Sequence, residues 1–220
     1  MNAMPTDSPC VWHWLWLTDS GLALRVGIGV AIFVVLAVVD LARKGRRATR
    51  WKEYLFLFTA TAVVMLYGLA NDMVTATISP RYFLEHEALP LDTPSVRPVA
   101  AAVALRATWT AGLIFGVALL LANNPSERLP RLPYRRMYAK LLYPALPAAM
   151  LAFLLGLASW GGCFDAILKA IGLLGPRSLK CVFCAHIGAG IGGFLGGLAA
   201  VLAVVRERWR LANVLHAHPH

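Results

Sequence analysis

The chain has 220 residues, of which 59% are hydrophobic and only 15% are charged, and its formal net charge at pH 7 is +10. Soluble domains carry about 25% charged residues, so this composition excludes an ordinary soluble domain. The Lys and Arg residues lie between apolar runs instead of along one basic face, so we expect no nucleic-acid partner.

Five apolar runs approach or reach the ~20 residues that a helix needs to cross a bilayer. Only helices and closed barrels satisfy their backbone polar groups in lipid, and runs of this length are typical of helices. We therefore predict an all-α, polytopic bundle of about five transmembrane helices in a lipid bilayer. The runs are roughly 21–40, 53–78, 99–122, 141–160 and 181–205.

The basic residues are concentrated in the segments 41–52 and 123–140 and after residue 205. Cytoplasmic loops carry such an excess, which predicts an outer N-terminus and a cytoplasmic C-terminus in the inner membrane of a bacterium. The predicted division is an outer N-terminal arm over 1–20, a single bundle over 21–205 and a cytoplasmic tail over 206–220.

The second apolar run ends in polar side chains. Asp72, Thr75 and Ser79 are spaced three and four residues apart, so they share one side of the predicted helix. A charge at the membrane centre costs at least ~2.5 kcal/mol unless it is paired or used. Asp72 is therefore either a structural ion-pair partner of Arg106 or Arg25, or a working ligand or proton-transfer group.

Four ionisable side chains from four predicted helices lie at a similar depth, ~6–10 Å from the outer helix ends at a rise of ~1.5 Å per residue. They are Arg25, Asp72, Arg106 and His186. The segment 79–98 contains four prolines and is predicted to form an irregular outer loop. Tyr82 and His86 from that loop would cap the site.

A divalent metal is one cofactor that this site would hold, because carboxylate and imidazole suit zinc, manganese or iron. The candidate metal ligands are Asp72, His86 and His186, with Glu85 and Glu87 close in sequence. The alternative is that the 85–87 trio is a solvated part of the loop. The two arginines, Arg25 and Arg106, favour instead an anionic or carbonyl-bearing ligand.

Cys181 and Cys184 form a C-x-x-C motif at the predicted outer start of the fifth helix. A helix N-terminus lowers the pKa of a thiol, which favours thiol–disulfide exchange. The motif is similar to that of membrane quinone-linked disulfide oxidoreductases, which carry a second cysteine pair in an outer loop. Here Cys10 and Cys163 would be that pair, unless they only staple the surface. A redox enzyme with a quinone cofactor is the first alternative function.

The fifth run is rich in glycine. Gly188, Gly192 and Gly196 are four residues apart, and small residues at this spacing let helix backbones approach closely. A non-catalytic assembly subunit that packs on a partner helix through this face is the second alternative. In the segment 161–180, apolar residues at helical spacing predict a short amphipathic helix in the interface.

Three short motifs lie along the chain from the second run onward. They are Asp72, Thr75, Ile78, Ser79, Pro80, Tyr82, Phe83 and His86; then Ala107, Thr108, Trp109 and Gly112; then His186, Gly192 and Gly193. These motifs resemble the signatures of a family of uncharacterised bacterial multi-pass membrane proteins, which usually has Glu in place of Arg81. The resemblance implies which positions belong to a site, and it implies no reaction.

These features predict an outward-facing site that binds a small polar ligand or a metal ion, with catalysis left open. The ligand-binding side chains would be Arg25, Thr75, Tyr82 and Arg106. In a catalytic version His186 would be the base or the metal ligand, because imidazole titrates near neutrality, and Asp72 would orient it. Arg106 would hold developing negative charge.

Overall fold

The computed structural model describes residues 19–45, 48–87, 95–126 and 128–217, and these residues form helices and connecting turns. Five of the helices are long and apolar enough to cross a membrane, which confirms the predicted multi-pass helical architecture. The outer arm that the sequence predicts, with Cys10, lies outside the described residues.

The helices agree with the five apolar runs and extend beyond most of them. They are α1 (Asp19–Lys44), α2 (Arg50–Ile78), α3 (Pro80–His86), α4 (Arg97–Ala122), α5 (Tyr134–Lys140), α6 (Ala145–Trp160), α7 (Asp165–Ala170) and α8 (Arg177–Ala217). α5 and α6 belong to one span, broken by a turn over 141–144 that ends at Pro144, which has no N–H to continue a helix. α8 is 41 residues long and runs through most of the predicted tail.

The predicted irregular loop after Ser79 is wrong for its first part. α3 begins at Pro80, because proline fits the first turn of a helix, where its missing N–H is not needed. Phe83 is fully buried and packs with Ala76 and Ala100, so α3 is held between α2 and α4.

The predicted amphipathic helix in the 161–180 segment is observed as α7. Leu168 is buried beneath it, while Ile167 and Ile171 are exposed. The Asp165 carboxylate at its start accepts a hydrogen bond from Lys180 Nζ at 2.7 Å, which ties α7 to the start of α8. This ion pair lowers the pKa of the Asp165 carboxyl.

The described residues form two compact units, which divide between Leu55 and Phe56. In the first unit α1 exposes most of its apolar side chains, while Asp40 is buried. The Asp40 carboxylate accepts hydrogen bonds from the backbone N–H groups of Thr49 and Arg50, at 3.2 and 3.1 Å, and pairs with Lys44 at 3.1 Å. It thereby caps the first turn of α2, whose N–H groups have no partner within that helix.

In the second unit, α6 and α8 pack through the glycine face of α8. A Cβ on Gly188, Gly192 or Gly196 would strike backbone atoms of Leu151, Pro147 or Pro144, respectively. Close backbone approach of this kind is what small residues at a spacing of four permit. α6 of the same chain and the turn before it thus occupy this face, and the assembly subunit that would pack through it stays a prediction.

At the other end of the second unit, Arg208 of α8 is buried and only 5% exposed. Its guanidinium donates hydrogen bonds to four backbone carbonyls of the segment between α4 and α5. The acceptors are Ala122 and Asn124 at 2.6 Å, Leu129 at 2.9 Å and Pro130 at 3.0 Å. The sequence places Arg208 only among the basic residues that indicate topology, and it does not reveal this clamp.

Candidate functional site

The last turns of α2 present three polar side chains to the interior. Asp72, Thr75 and Ser79 are 5%, 4% and 2% exposed, so the helical spacing correctly predicts their shared side. The apolar face of the same helix leaves Val74 and Ile78 exposed. A carboxylate in such a position is costly unless its surroundings compensate for its lost hydration.

His186 reaches this group from the early part of α8. Its Nε2 lies 3.2 Å from Thr75 Oγ1, which is a hydrogen-bond distance. The same nitrogen lies 3.7 Å from Asp72 Oδ1, which allows charge attraction but exceeds a good hydrogen bond. The structure therefore brings together Asp72, Thr75 and His186, which the sequence assigns to one site.

The Thr75 hydroxyl has one hydrogen to donate and two lone pairs that accept. The carbonyl of Asn71 in its own helix is 3.1 Å away, a normal acceptor for a helical threonine. When the hydroxyl donates there, it accepts from His186, whose proton then lies on Nε2. Asn71 also donates from Nδ2 to Asp72 Oδ1 at 3.1 Å.

Two aromatic rings of α3 fix the imidazole. The Tyr82 ring stacks on His186 with centroids 4.7 Å apart and planes at 29°. The Phe83 ring meets His186 edge-on, at 5.8 Å and 68°. Tyr82 thus covers the site as the sequence predicts, while the side chain of His86 lies outside the described part of the structure.

Arg81 and Arg106 each pair with a glutamate. Arg106 Nη2 lies 2.7 Å from Glu87 Oε2, and Arg81 pairs with Glu85. Helical side chains point toward the N-terminus of their helix, which directs Arg106 along α4 toward the Glu87 side. The predicted ion pair between Asp72 and Arg106 is therefore wrong.

Arg25 belongs to the first compact unit, on α1. Its Nε donates to the Gly21 carbonyl at 3.3 Å, one turn earlier in the same helix. Its role as a ligand-binding group stays a prediction.

Within the described residues, no three His, Cys, Asp or Glu side chains are close enough to hold a metal ion. Glu85 and Glu87 are engaged by arginines, which removes them from the metal set considered above. The metal hypothesis stays a prediction that rests on Asp72 and His186, with His86 outside the description.

The cysteines of α8 do not lie at its N-terminus. α8 begins at Arg177, so Cys181 and Cys184 occupy its second turn, beyond the free N–H groups that lower a thiol pKa. Both are free thiols, and so is the exposed Cys163. Cys184 is buried at the side of an apolar groove of about 180 Å³ that is also lined by Phe164. The redox alternative stays a prediction.

Two further polar side chains lie on the side of α2 that carries Thr75, although the sequence did not mark them. Asn71 binds the Asp72 carboxylate, and the Tyr67 hydroxyl is buried without a hydrogen-bond partner among the described residues. Tyr67, Asn71 and Thr75 are spaced by four, so they line one side of α2. That spacing is the signal that could have identified them.

No family model, no curated protein and no solved structure matches the chain. The resemblance of the three motifs to a family of membrane proteins stays a prediction, and the case for the site rests on its geometry.

Burial, and then the negative charge of Asp72, raise the pKa of the Tyr82 phenol above the ordinary value of about 10. We expect Tyr82 to form phenolate at a higher pH than an exposed tyrosine, and Asp72→Asn to lower that pH. The pKa of Tyr82 is higher in the folded state than in the unfolded state. Its contribution to the free energy of unfolding is therefore fully present below about pH 10 and is lost as the pH rises through the folded-state pKa. Absorbance at 295 nm measures the titration, and Tyr82→Phe assigns it. Unchanged titration in Asp72→Asn would contradict the expected charge effect.

Proposed function

We propose that this chain is a multi-pass protein of a bacterial cytoplasmic membrane that binds a small polar ligand or a metal ion. In this proposal the N-terminus is outside and the C-terminus is in the cytoplasm, so the Asp72 end of the bundle opens to the outer face. The distribution of Lys and Arg supports that orientation.

The observation that carries the proposal is the incomplete compensation of the Asp72 carboxylate. It is buried, yet it receives one amide hydrogen bond from Asn71 and has His186 at 3.7 Å. A buried charge without a close partner costs several kcal/mol, and an apolar residue at this position would avoid that cost. Ionisable groups held inside a membrane bundle are typical of ligand and ion sites.

The roles of the site residues follow from their contacts. Asp72 and Thr75 supply oxygen atoms, His186 supplies a nitrogen that also titrates near neutrality, and Tyr82 covers the imidazole. In a catalytic form of the proposal His186 is the base and Asp72 orients it. Arg106 no longer has the part of holding developing negative charge, because Glu87 neutralises it.

The two alternatives have weaker support. A thiol–disulfide oxidoreductase would use Cys181 and Cys184, which lie within the second turn of α8 as free thiols. An assembly subunit would use the glycine face of α8, which α6 occupies.

Native mass spectrometry and elemental analysis of the purified protein test the proposal. We expect a bound molecule or metal in the wild type that Asp72→Asn and His186→Ala lose. Asp165→Asn is the matched control, since its carboxylate is exposed at the same end of the bundle, and it is expected to retain the ligand. Wild type that carries no ligand, or equal ligand content in all four proteins, would overturn the proposal.

A further inference from the structure

The charges at the Asp72 end of the bundle restrict the ligand of the proposed site. Arg81 and Arg106 each pair with a glutamate, and Lys180 pairs with Asp165. Asp72 contacts no Lys or Arg within the described residues: its neighbours are an amide and an imidazole. These three positive charges are matched by other carboxylates, and Asp72 is left in the interior without a cationic partner among the described residues.

Asp72 Oδ1 faces two nitrogen donors, Asn71 Nδ2 at 3.1 Å and His186 Nε2 at 3.7 Å, whereas no described residue donates to Asp72 Oδ2. The Thr75 hydroxyl donates within α2 and accepts from His186 Nε2, which leaves one of its two lone pairs available. Carboxylate and hydroxyl oxygens are the ligands of alkali and alkaline-earth cations and the acceptors for ammonium groups.

The number of carboxylates at the site indicates whether the bound cation carries one positive charge or two. Divalent cations in proteins are held by several carboxylates or by a dedicated ligand set, and the described residues provide no three candidate ligands in one place. Asp72 alone balances a single charge. A dication beside it would leave a net positive charge in a poorly hydrated interior, with the cost that such a charge carries.

We infer that Asp72, with Thr75, binds one monovalent cation, an alkali metal ion or an ammonium group. This inference rests on the proposed function and replaces the anionic ligand that Arg25 and Arg106 suggested. His186 holds the site in shape: Tyr82 and Phe83 pack on its ring, and its Nε2 faces Thr75.

The expected size of the effect follows from Coulomb's law. Opposite unit charges 4 Å apart attract by about 4 kcal/mol at an effective dielectric constant of about 20, which is a factor of about a thousand in affinity. Asp72→Asn should therefore lower the affinity for the cation about a thousandfold. A monoanion should be disfavoured by a similar factor.

The test is the unfolding midpoint of the purified protein, with N-methylglucamine chloride as the reference salt. Sodium, potassium, ammonium, magnesium and calcium chlorides are then compared with it at equal ionic strength. We expect at least one monovalent cation to raise the wild-type midpoint in a saturable way, as a ligand that binds only the folded state does. Sodium or potassium would identify an alkali ion, and ammonium an N–H donor.

The expected response is absent in Asp72→Asn and unchanged in Asp165→Asn. Stronger stabilisation by magnesium or calcium, stabilisation by N-methylglucamine salts of other anions, or an equal response in Asp72→Asn would overturn the inference. If Asp72→Asn does not fold, the comparison of salts on the wild type decides. A retained ligand in mass spectrometry without any monovalent response would overturn this inference alone, whereas the absence of both would overturn the proposed function too.

Discussion

Gly192→Ala is expected to destabilise the protein by about 3 kcal/mol, because overpacking costs ~1–3 kcal/mol and more where nothing can yield. The added Cβ would strike the Pro147 carbonyl and come within 2.7 Å of Ala148 Cα. These are backbone atoms of α6, so no side chain can rotate away, and the two helices must move apart. The measurement is unfolding in mixed detergent micelles, followed by circular dichroism.

Gly190→Ala is the matched control, two residues before Gly192 on the same helix. A Cβ at Gly190 meets no atom within 4 Å, and alanine is the better helix former by about 1 kcal/mol. This variant should be as stable as the wild type or slightly more stable. Equal losses in the two variants would show that the close approach of α6 and α8 does not account for the effect.

Arg208→Met is expected to cost about 3–5 kcal/mol, the range seen when one side of a buried charged hydrogen-bonded group is removed. The four carbonyls that Arg208 binds would lose their donor. Each buried acceptor without a partner costs about 1–3 kcal/mol, although these costs are not additive. The same detergent unfolding experiment measures the loss.

Two further substitutions separate hydrogen bonding from charge. Arg208→Lys keeps the charge but replaces a planar fork of five donors by a single ammonium, so it should recover little of the lost stability. Arg210→Met removes an exposed charge two residues away and should change stability by no more than about 0.5 kcal/mol. Wild-type stability of Arg208→Lys would contradict the clamp.

The fold could largely be predicted from the sequence, because the length of an apolar run determines whether a helix can cross a membrane. The exceptions are local. Pro80 was interpreted as the start of an irregular loop, although proline also begins helices, and the packing of Phe83 decides between the two. The fourth run was predicted to begin at residue 141, but the turn that ends at Pro144 delays the start of α6 to Ala145.

The site could be predicted only in part. Helical rise gives the depth of a residue in the membrane, so Asp72 and His186 were correctly placed at one level, 3.7 Å apart in the structure. Depth does not tell which way a side chain points, and Arg106 points to Glu87. Spacing showed that the glycines of α8 make a close contact, but not that α6 is the helix they contact.

The glycine face of α8 also determines the position of the His186 imidazole along the helix axis. Gly188, Gly192 and Gly196 each pack against backbone atoms of α6 or of the turn before it. These three contacts fix the register of α8 along α6. His186 lies two residues before Gly188, the first of these glycines. A slip by one glycine position, four residues, would displace it by about 6 Å, more than its 3.7 Å distance from Asp72. Alanine at any of the three positions should therefore disturb ligand binding some distance away from the side chains that hold the ligand.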